Sequence, residues 1–330
     1  MKIYFAPLEG ITGFLFRNAF YKNFYGVDVF YAPFISPGQE QKMTPRERKD
    51  ICPENNPGIP LVPQLLTNNA QYFLHAAKEL KQMGYREVNL NLGCPSGTVV
   101  AKNKGSGLLR DTIKLDRFLY EIFEKTELEI SVKTRLGLTD VSEFEEILHI
   151  FNRYRMKELI IHPRLQKEMY RGTPDMEIFT WALSESTNPV CYNGDITTIV
   201  EYGKIKEKYQ SLDRVMIGRG FLSNPFLAEE IRKIEEIYKT GEICEIEEIQ
   251  KAERKERLRC FHRDLYDAYR QEMSGEKNVL FKMKELWLYL HILFTDGEKY
   301  FRKIKKAQRL SEYDVLVGKL FSHEEVKLPV

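Results

Sequence analysis

The segment VNLNLGCPSGTVVAKNKGSGLL, residues 88–109, runs an alternation of Val, Leu and Asn into Gly93, Cys94 and Pro95. A lone thiol at such a strand end is either a buried core group, the commoner fate of an isolated cysteine, or a reactive group at a cleft. Further clusters stand where other apolar runs stop: Pro7, Leu8 and Glu9; Gln64; Asn91; Lys133 with Arg135; His162 with Arg164; Asn193, Gly194 and Asp195; Gly218 and Arg219. Gln64 and Lys133 need partners at a barrel mouth, because a buried amide or ammonium is costly without them. A flavin ring offers carbonyls and ring nitrogens to both, and Lys133 would stabilise charge on its reduced form. A structural ion pair with Glu9 or Asp195 is the alternative for Lys133. His162 suits a phosphate, a ring carbonyl or a satisfied place in the core. Gly194, Gly218 and Gly220 let the backbone approach an anion closely, and Arg219 supplies charge. A short helix capped by Ser223 or Asn224 would aim its N–H groups at the same point. A glycine pair after a strand also serves as a plain tight turn.

Such residues need a scaffold that gathers strand ends. Short β-branched runs recur at 3–7, 29–34, 60–65, 87–94, 129–135, 158–163, 189–194 and 214–220, with helical patterns in most gaps. Each run is nearly continuous in apolar residues, as parallel strands buried on both faces are. Eight strand–helix units in about 240 residues predict the α/β class, specifically a (β/α)8 TIM barrel with its chemistry at the C-terminal strand ends. No GxGxxG follows the first run, which argues against a doubly wound sheet. Residues 36–58 are polar and rich in Pro and Gly, so a long loop is expected on the catalytic face. Beyond about residue 240 the pattern is wholly helical, predicting three or four amphipathic helices. The expected domains are a barrel over 1–240 and a small helical bundle over 241–330.

Composition narrows the setting. No run approaches the ~20 apolar residues of a membrane span, and the N-terminus lacks a secretory signal pattern. The five cysteines, Cys52, Cys94, Cys191, Cys244 and Cys260, contain no CxxC pair. That argues against a disulfide framework and a zinc site, and a cytoplasmic location is expected. The net charge is only +2, yet residues 251–310 carry 16 Lys/Arg against 9 Asp/Glu. A basic tail is a nucleic-acid footprint or a solvated helical face, and charge alone favours the solvated face.

Six segments in chain order resemble the tRNA-dihydrouridine synthases over roughly residues 1–230: APLEGITGFLFR (6–17), NLNLGCPSGTVVAKNKGSGLL (89–109), VKTRLG (132–137), IHPRLQKEMYRG (161–172), CYNGDI (191–196) and VMIGRGFLSNP (215–225). Gly13 stands where that family commonly has an acidic residue, and Leu108 where it has alanine. FKMKELWLYL (281–290) is a loose version of the family's basic, Trp-containing helix. The resemblance implies an FMN enzyme that reduces uridine in tRNA to 5,6-dihydrouridine, with NADPH recharging the flavin. By motif position, Pro7, Leu8, Glu9, Gln64, Lys133, His162, Asn193, Gly194, Asp195, Gly218 and Arg219 would hold FMN. Cys94 would be the general acid, and Asn91, Arg135, Lys102 and Lys104 would meet the substrate.

That role suits a thiol. Hydride added to carbon 6 of uracil leaves carbon 5 to take a proton from the other side. A cysteine with an ordinary pKa of about 8.5 is still protonated near neutrality, whereas a carboxylic acid is usually ionised. Gly93 would let the backbone approach the base, and Pro95 fixes φ beyond the strand. The segment KNKGSG (102–107) would be a flexible lid or RNA-contact loop. Turning the base out of its stack costs a few kcal/mol that remote RNA contacts must offset, with salt-sensitive binding as the consequence. Candidate contacts are Arg254, Arg257, Arg259, Lys282, Lys284, Arg302, Lys303, Lys305 and Lys306. No obligate protein partner is apparent, and a monomer is expected. Three rivals stand beside this reading: an FMN barrel acting on a free small molecule, as dihydroorotate dehydrogenases do; a dihydrouridine synthase acting on rRNA; and an RNA-binding factor without catalysis. The small-molecule enzyme would not need the basic tail. Intact Cys94, Lys133 and Gln64 speak against the last.

Overall fold

The apolar runs pair as parallel strands: β1 (Lys2–Phe5), β2 (Val29–Tyr31), β3 (Leu61–Val62), β4 (Gln64–Leu65), β5 (Glu87–Leu92), β6 (Glu129–Arg135), β7 (Leu159–His162), β8 (Val190–Tyr192) and β9 (Arg214–Ile217). The structure is a computed structural model that describes residues 1–38, 43–240 and 249–327. Strand order is β3-β2-β1-β9-β8-β7-β6-β5-β4. Pro63, which has no N–H to donate, splits the third expected strand into β3 and β4. Leu61 and Val62 pair with Phe30 and Tyr31, and Ile35 bridges Leu65. Gln64 and Leu65 pair with Asn89 and Leu90 on the other edge. One interrupted strand therefore faces β2 and β5 together, and the ring closes with eight staves, the barrel that the sequence predicts.

The chain divides into two compact units. The first comprises residues 1–7, 28–195 and 210–216 and contains the barrel. Its interior has an apolar sector, where Tyr4, Ala6, Tyr31, Val62, Ile160, Cys191 and Met216 form one buried cluster. Strands on opposite sides can share such a cluster only if those side chains point inward. The remaining sector, from β4, β5 and β6, is polar. At the floor, Tyr4 and Tyr31 both donate to the buried Glu158 carboxylate, which Arg214 also meets at 3.2 Å.

The helices begin where short polar side chains cap them. Asn69 accepts from the Tyr72 N–H, and Asp111 from that of Lys114. The expected long loop at 36–58 instead contains a helix, Pro45–Ile51. Thr44 and Glu47 form a reciprocal capping box around Pro45 at the first turn. That S/T-x-x-E spacing with Pro was present in the sequence and outweighs the polar composition around it. Residues 39–42 of this stretch lie outside those described.

The second unit comprises residues 8–27, 196–209 and 217–330. The expected boundary at 240/241 touches residues 241–248, which lie outside those described. Four helices form its C-terminal part: Ile249–Glu272, Glu276–Leu290, Gly297–Lys306 and Leu310–His323. The helix Phe14–Asn23 also belongs to this unit, because its aromatic face packs there. Phe261 meets Phe16, Phe20 and Phe24 at centroid distances of 5.7, 6.3 and 5.2 Å. No described helix is long and apolar enough to cross a membrane.

His262 is buried in this unit. Its Nε2 lies 2.5 Å from the Tyr313 hydroxyl, which also accepts from Trp287 Nε1 at 2.7 Å. Burial pushes the imidazole down to about 4, so the fold holds it neutral. Above the ordinary histidine pKa of about 6.5 its contribution is complete, and it is lost as pH falls from there toward 4. That loss amounts to about 3 kcal/mol at ~1.4 kcal/mol per pKa unit. The melting temperature of a His262→Gln variant is expected to fall less than that of the wild type between pH 7 and 4.5. Parallel losses in calorimetry would contradict this.

Candidate active site

Strand register places the site's side chains in layers inside the first unit. Asn89 lies between Gln64 and Ser131, and Asn91 lies opposite Lys133 one layer nearer the C-terminal ends. Arg135 and His162 are partners in the next layer. Alternation by two keeps all of these on one face of their strands.

Cys94 follows β5 in a turn fastened from two directions. The Asn91 side-chain oxygen accepts the N–H groups of Gly93 and Cys94 at 3.0 and 2.9 Å. The Cys94 carbonyl accepts from Ser106 Oγ at 2.9 Å and from the Ser106 N–H at 3.2 Å. Ser106 lies in a buried 3-10 helix, Gly105–Arg110, where a flexible lid was expected. Gly105 has φ +56, and a Cβ there would stand 2.9 Å from the Cys94 carbonyl oxygen. A Cβ on Gly107 would reach 2.7 Å from the Val100 carbonyl oxygen. The glycines thus let this segment pack as a bracket behind the thiol rather than swing over it. Lys102 is exposed, while Lys104 is half-buried, with its pKa lowered by desolvation and by Lys102.

The half-buried Lys133 side chain has no hydrogen bond or ion pair at its ammonium among the described residues, and desolvation lowers its pKa to about 8. Arg135 adds to that lowering, and the Cys191 and Cys94 thiols oppose it, so the ammonium and the Cys94 sulfur share one electrostatic neighbourhood. Asp195, the first-unit partner considered for Lys133, is taken: Arg164 grips both its oxygens at 3.0 and 2.5 Å. Arg164 is fully buried and also lies 3.0 Å from His162 Nε2. A guanidinium only donates, so that nitrogen must accept, which leaves Nδ1 as the protonated nitrogen of His162. Arg135 spends its donors on the carbonyls of Gly93, Leu165 and Met169 at 3.0, 3.0 and 2.6 Å. The Asn193 amide donates to the Met216 carbonyl at 2.8 Å. Arg135 and Asp195 are thus each held by backbone or side-chain partners within the first unit.

The first unit brings together Gln64, Asn91, Cys94, Lys133, Arg135, His162, Asn193, Gly194 and Asp195, and Pro7 ends its first segment. Leu8, Glu9, Gly218 and Arg219 belong to the second unit, where the Leu8 N–H bonds Thr12 Oγ1 and Gly218 caps the short helix Arg219–Ser223. Sequence reading passed over Asn89, Ser131, Glu87 and the bonding role of Arg164. The alternation Glu87, Asn89, Asn91 was the available signal for the strand's inward face.

Several basic residues proposed for RNA have internal partners in the second unit. Arg254 pairs with Glu230 at 2.7 Å and lies over the Phe226 ring. Arg257 pairs with Glu229 and donates to the Asn23 carbonyl at 2.8 Å. Lys282 reaches the Gly10 carbonyl and Lys284 that of Ala307. Arg259 bonds Glu256 and the Phe321 carbonyl, and Arg302 bonds Glu298 at 2.8 Å. Lys303, Lys305 and Lys306 remain exposed on the helix Gly297–Lys306.

This architecture defines the class as a closed parallel (β/α)8 barrel with its polar site at the C-terminal strand ends. Among solved structures, a morphinone reductase variant in complex with tetrahydroNAD is similar at TM-score 0.51 and 12% identity, over 70% of this chain and 86% of that one. Histamine dehydrogenase from Rhizobium sp. 4-9 is similar at TM-score 0.51 and 13% identity, over 70% and 45%. In sequence, the dihydrouridine synthase family profile matches residues 4–311. A probable tRNA-dihydrouridine synthase of Staphylococcus aureus (strain Mu50 / ATCC 700699) is 32% identical over 238 residues, 68% of this chain and 69% of the relative. A probable tRNA-dihydrouridine synthase 2 of Bacillus subtilis (strain 168) is 29% identical over 293 residues, 86% and 83%. The chain belongs to the dihydrouridine synthase family. It is accordingly a flavin-dependent oxidoreductase of tRNA processing.

Proposed function

We propose that this protein reduces the C5=C6 bond of uridines in tRNA, with FMN as its flavin, NADPH as its reductant and Cys94 as the proton donor. The observation that carries the reading is Lys133: a half-buried side chain, its ammonium unpartnered among the described residues and its pKa lowered by desolvation, one strand from Asn91 and within electrostatic reach of the Cys94 thiol. Such a cation fits an electron-rich carbonyl and ring nitrogen, and Gln64 and His162 Nδ1 add donors nearby. Bound flavin would supply hydride to the pyrimidine ring. Lys133, Gln64, His162 and Asn193 would hold and orient it, and Gly194 would leave room for backbone approach.

Asn91 would keep the Cys94 turn at the rim while the thiol gives its hydrogen to carbon 5. Arg135 would steady Gly93 from behind, and Asp195 would act by holding Arg164 against His162. In the second unit, the exposed Lys303, Lys305 and Lys306 would meet RNA phosphates, offsetting the cost of extracting the base.

The test is mass-spectrometric mapping of dihydrouridine in tRNA from a deletion strain, with anisotropy binding of the purified protein to tRNA. One or more dihydrouridine positions are expected to disappear, and tRNA affinity to fall steeply with salt. An unchanged modification map and no tRNA binding at low salt would favour an oxidoreductase of free small molecules. Loss of the modification from rRNA alone would move the substrate to the ribosome.

A further inference from the structure

The polar sector of the barrel contains a single directed chain of hydrogen bonds. From the top, the N–H groups of Gly93 and Cys94 donate to Asn91 Oδ1 at 3.0 and 2.9 Å. Asn91 Nδ2 donates to Gln64 Oε1 at 2.7 Å, and Gln64 Nε2 to Asn89 Oδ1 at 2.7 Å. Asn89 Nδ2 donates to Ser131 Oγ at 2.9 Å, and Ser131 Oγ donates to Glu87 Oε1 at 2.6 Å. Every donor points along the series toward Glu87: two bonds step down a layer, and two run sideways within the Gln64, Asn89 and Ser131 layer. Backbone N–H groups cannot accept, so the upper end forbids the reverse sense, and only an ionised carboxylate at the lower end forbids it too. Each bond in such a series strengthens the next, because an amide that donates becomes a better acceptor.

We propose that Glu87 is a positioning residue for the active site, its carboxylate terminating this chain and, by strengthening each bond above it, tightening the hold on Gln64 and Asn91 and, through Asn91, on the turn that carries Cys94. The proposal rests on the flavin reading given above. Glu87 is half-buried at the first position of β5, two layers below Asn91 on the same face of the strand. Desolvation, opposed by the Ser131 hydrogen bond and aided by Glu158, pushes its carboxyl up to about 7. Lys157 lowers it and Glu129 raises it, those two being paired with each other, and Tyr31 faces it from β2. The carboxylate that anchors the chain is therefore present above about pH 7 and lost below it.

The experiment measures FMN affinity of the full-length apoprotein by flavin fluorescence at pH 8 and pH 6, for wild type, Glu87→Gln and Ser131→Ala. Ratios of wild-type to variant affinity cancel the titration of the FMN phosphate itself. Wild type is expected to bind about fivefold tighter than either variant at pH 8, with the ratio falling toward one at pH 6, since a charge-assisted bond is about twice as strong as a neutral one. Ratios constant within twofold across that range would overturn the proposal, whatever the melting temperatures do. Deuterium uptake of the segment spanning Gly93 and Cys94, scaled to global stability, gives a readout without flavin. It is expected to be faster in both variants at pH 8. If wild type binds no FMN at any pH, the flavin reading fails, and the exchange measurement alone decides. Equal protection in all three proteins then overturns the chain's role. Should Glu87→Gln fail to fold, Ser131→Ala cuts the same chain without removing the charge.

Discussion

Replacing Cys94 with alanine is expected to leave FMN and tRNA affinities within about twofold and to slow dihydrouridine formation by roughly 10² to 10⁴, the range assigned to a positioned general acid. The reason is local. The turn is held by its backbone, through Asn91 and Ser106, so deletion of the sulfur leaves the support intact. What the variant would lose, on the proposed role, is the hydrogen delivered to carbon 5, for which water at the rim would be a poorly placed substitute. Single-turnover reduction of tRNA by pre-reduced protein, with product counted by mass spectrometry, separates this step from flavin reduction. A variant within tenfold of wild type would remove the proton-donor assignment.

Lys133→Met is expected to weaken FMN binding by about thirtyfold, corresponding to ~2 kcal/mol for a hydrogen bond that involves a charged group. Methionine fills the half-buried position without placing a charge there, so stability should rise or hold while affinity falls. The pH dependence has a defined sign. Burial lowers the ammonium to about 8, so its charge is present below that pH and disappears as pH rises through it. Wild-type affinity for FMN should therefore decline above pH 8, and that decline should be absent from the methionine variant. Glu87 acts in the opposite sense near 7, so the affinity maximum is expected between about 7 and 8. A Lys133→Met protein that retains flavin as wild type does would rule out the cation as a cofactor contact.

Much of this molecule was legible before any coordinates. The spacing of apolar runs determined a parallel barrel, because strands buried on both faces can carry no solvent-facing alternation. The residues at the run ends determined where to look, since parallel connection through helices puts every C-terminal strand end on one rim. The six motifs determined the family, and the cysteine between Gly93 and Pro95 was the outstanding candidate for proton chemistry. Even the missed helix Pro45–Ile51 was written locally, in the Thr44–Glu47 box.

What the polymer order left open was the partner of each charge. Arg135, Asp195, Arg254 and Arg257 have the residue types of ligand contacts, and each is engaged by groups remote in sequence: Gly93, Arg164, Glu230 and Glu229. A charge cannot reveal along a one-dimensional chain whether its counter-ion will fold beside it. The same holds for the lid: KNKGSG reads as flexible, yet Gly105 and Gly107 permit contacts that any Cβ would forbid, and close packing makes the segment a bracket. Lys133 is the converse case. Only the closed ring showed that, among the described residues, its ammonium is left without a partner, and desolvation turned that vacancy into the feature on which the proposed chemistry depends.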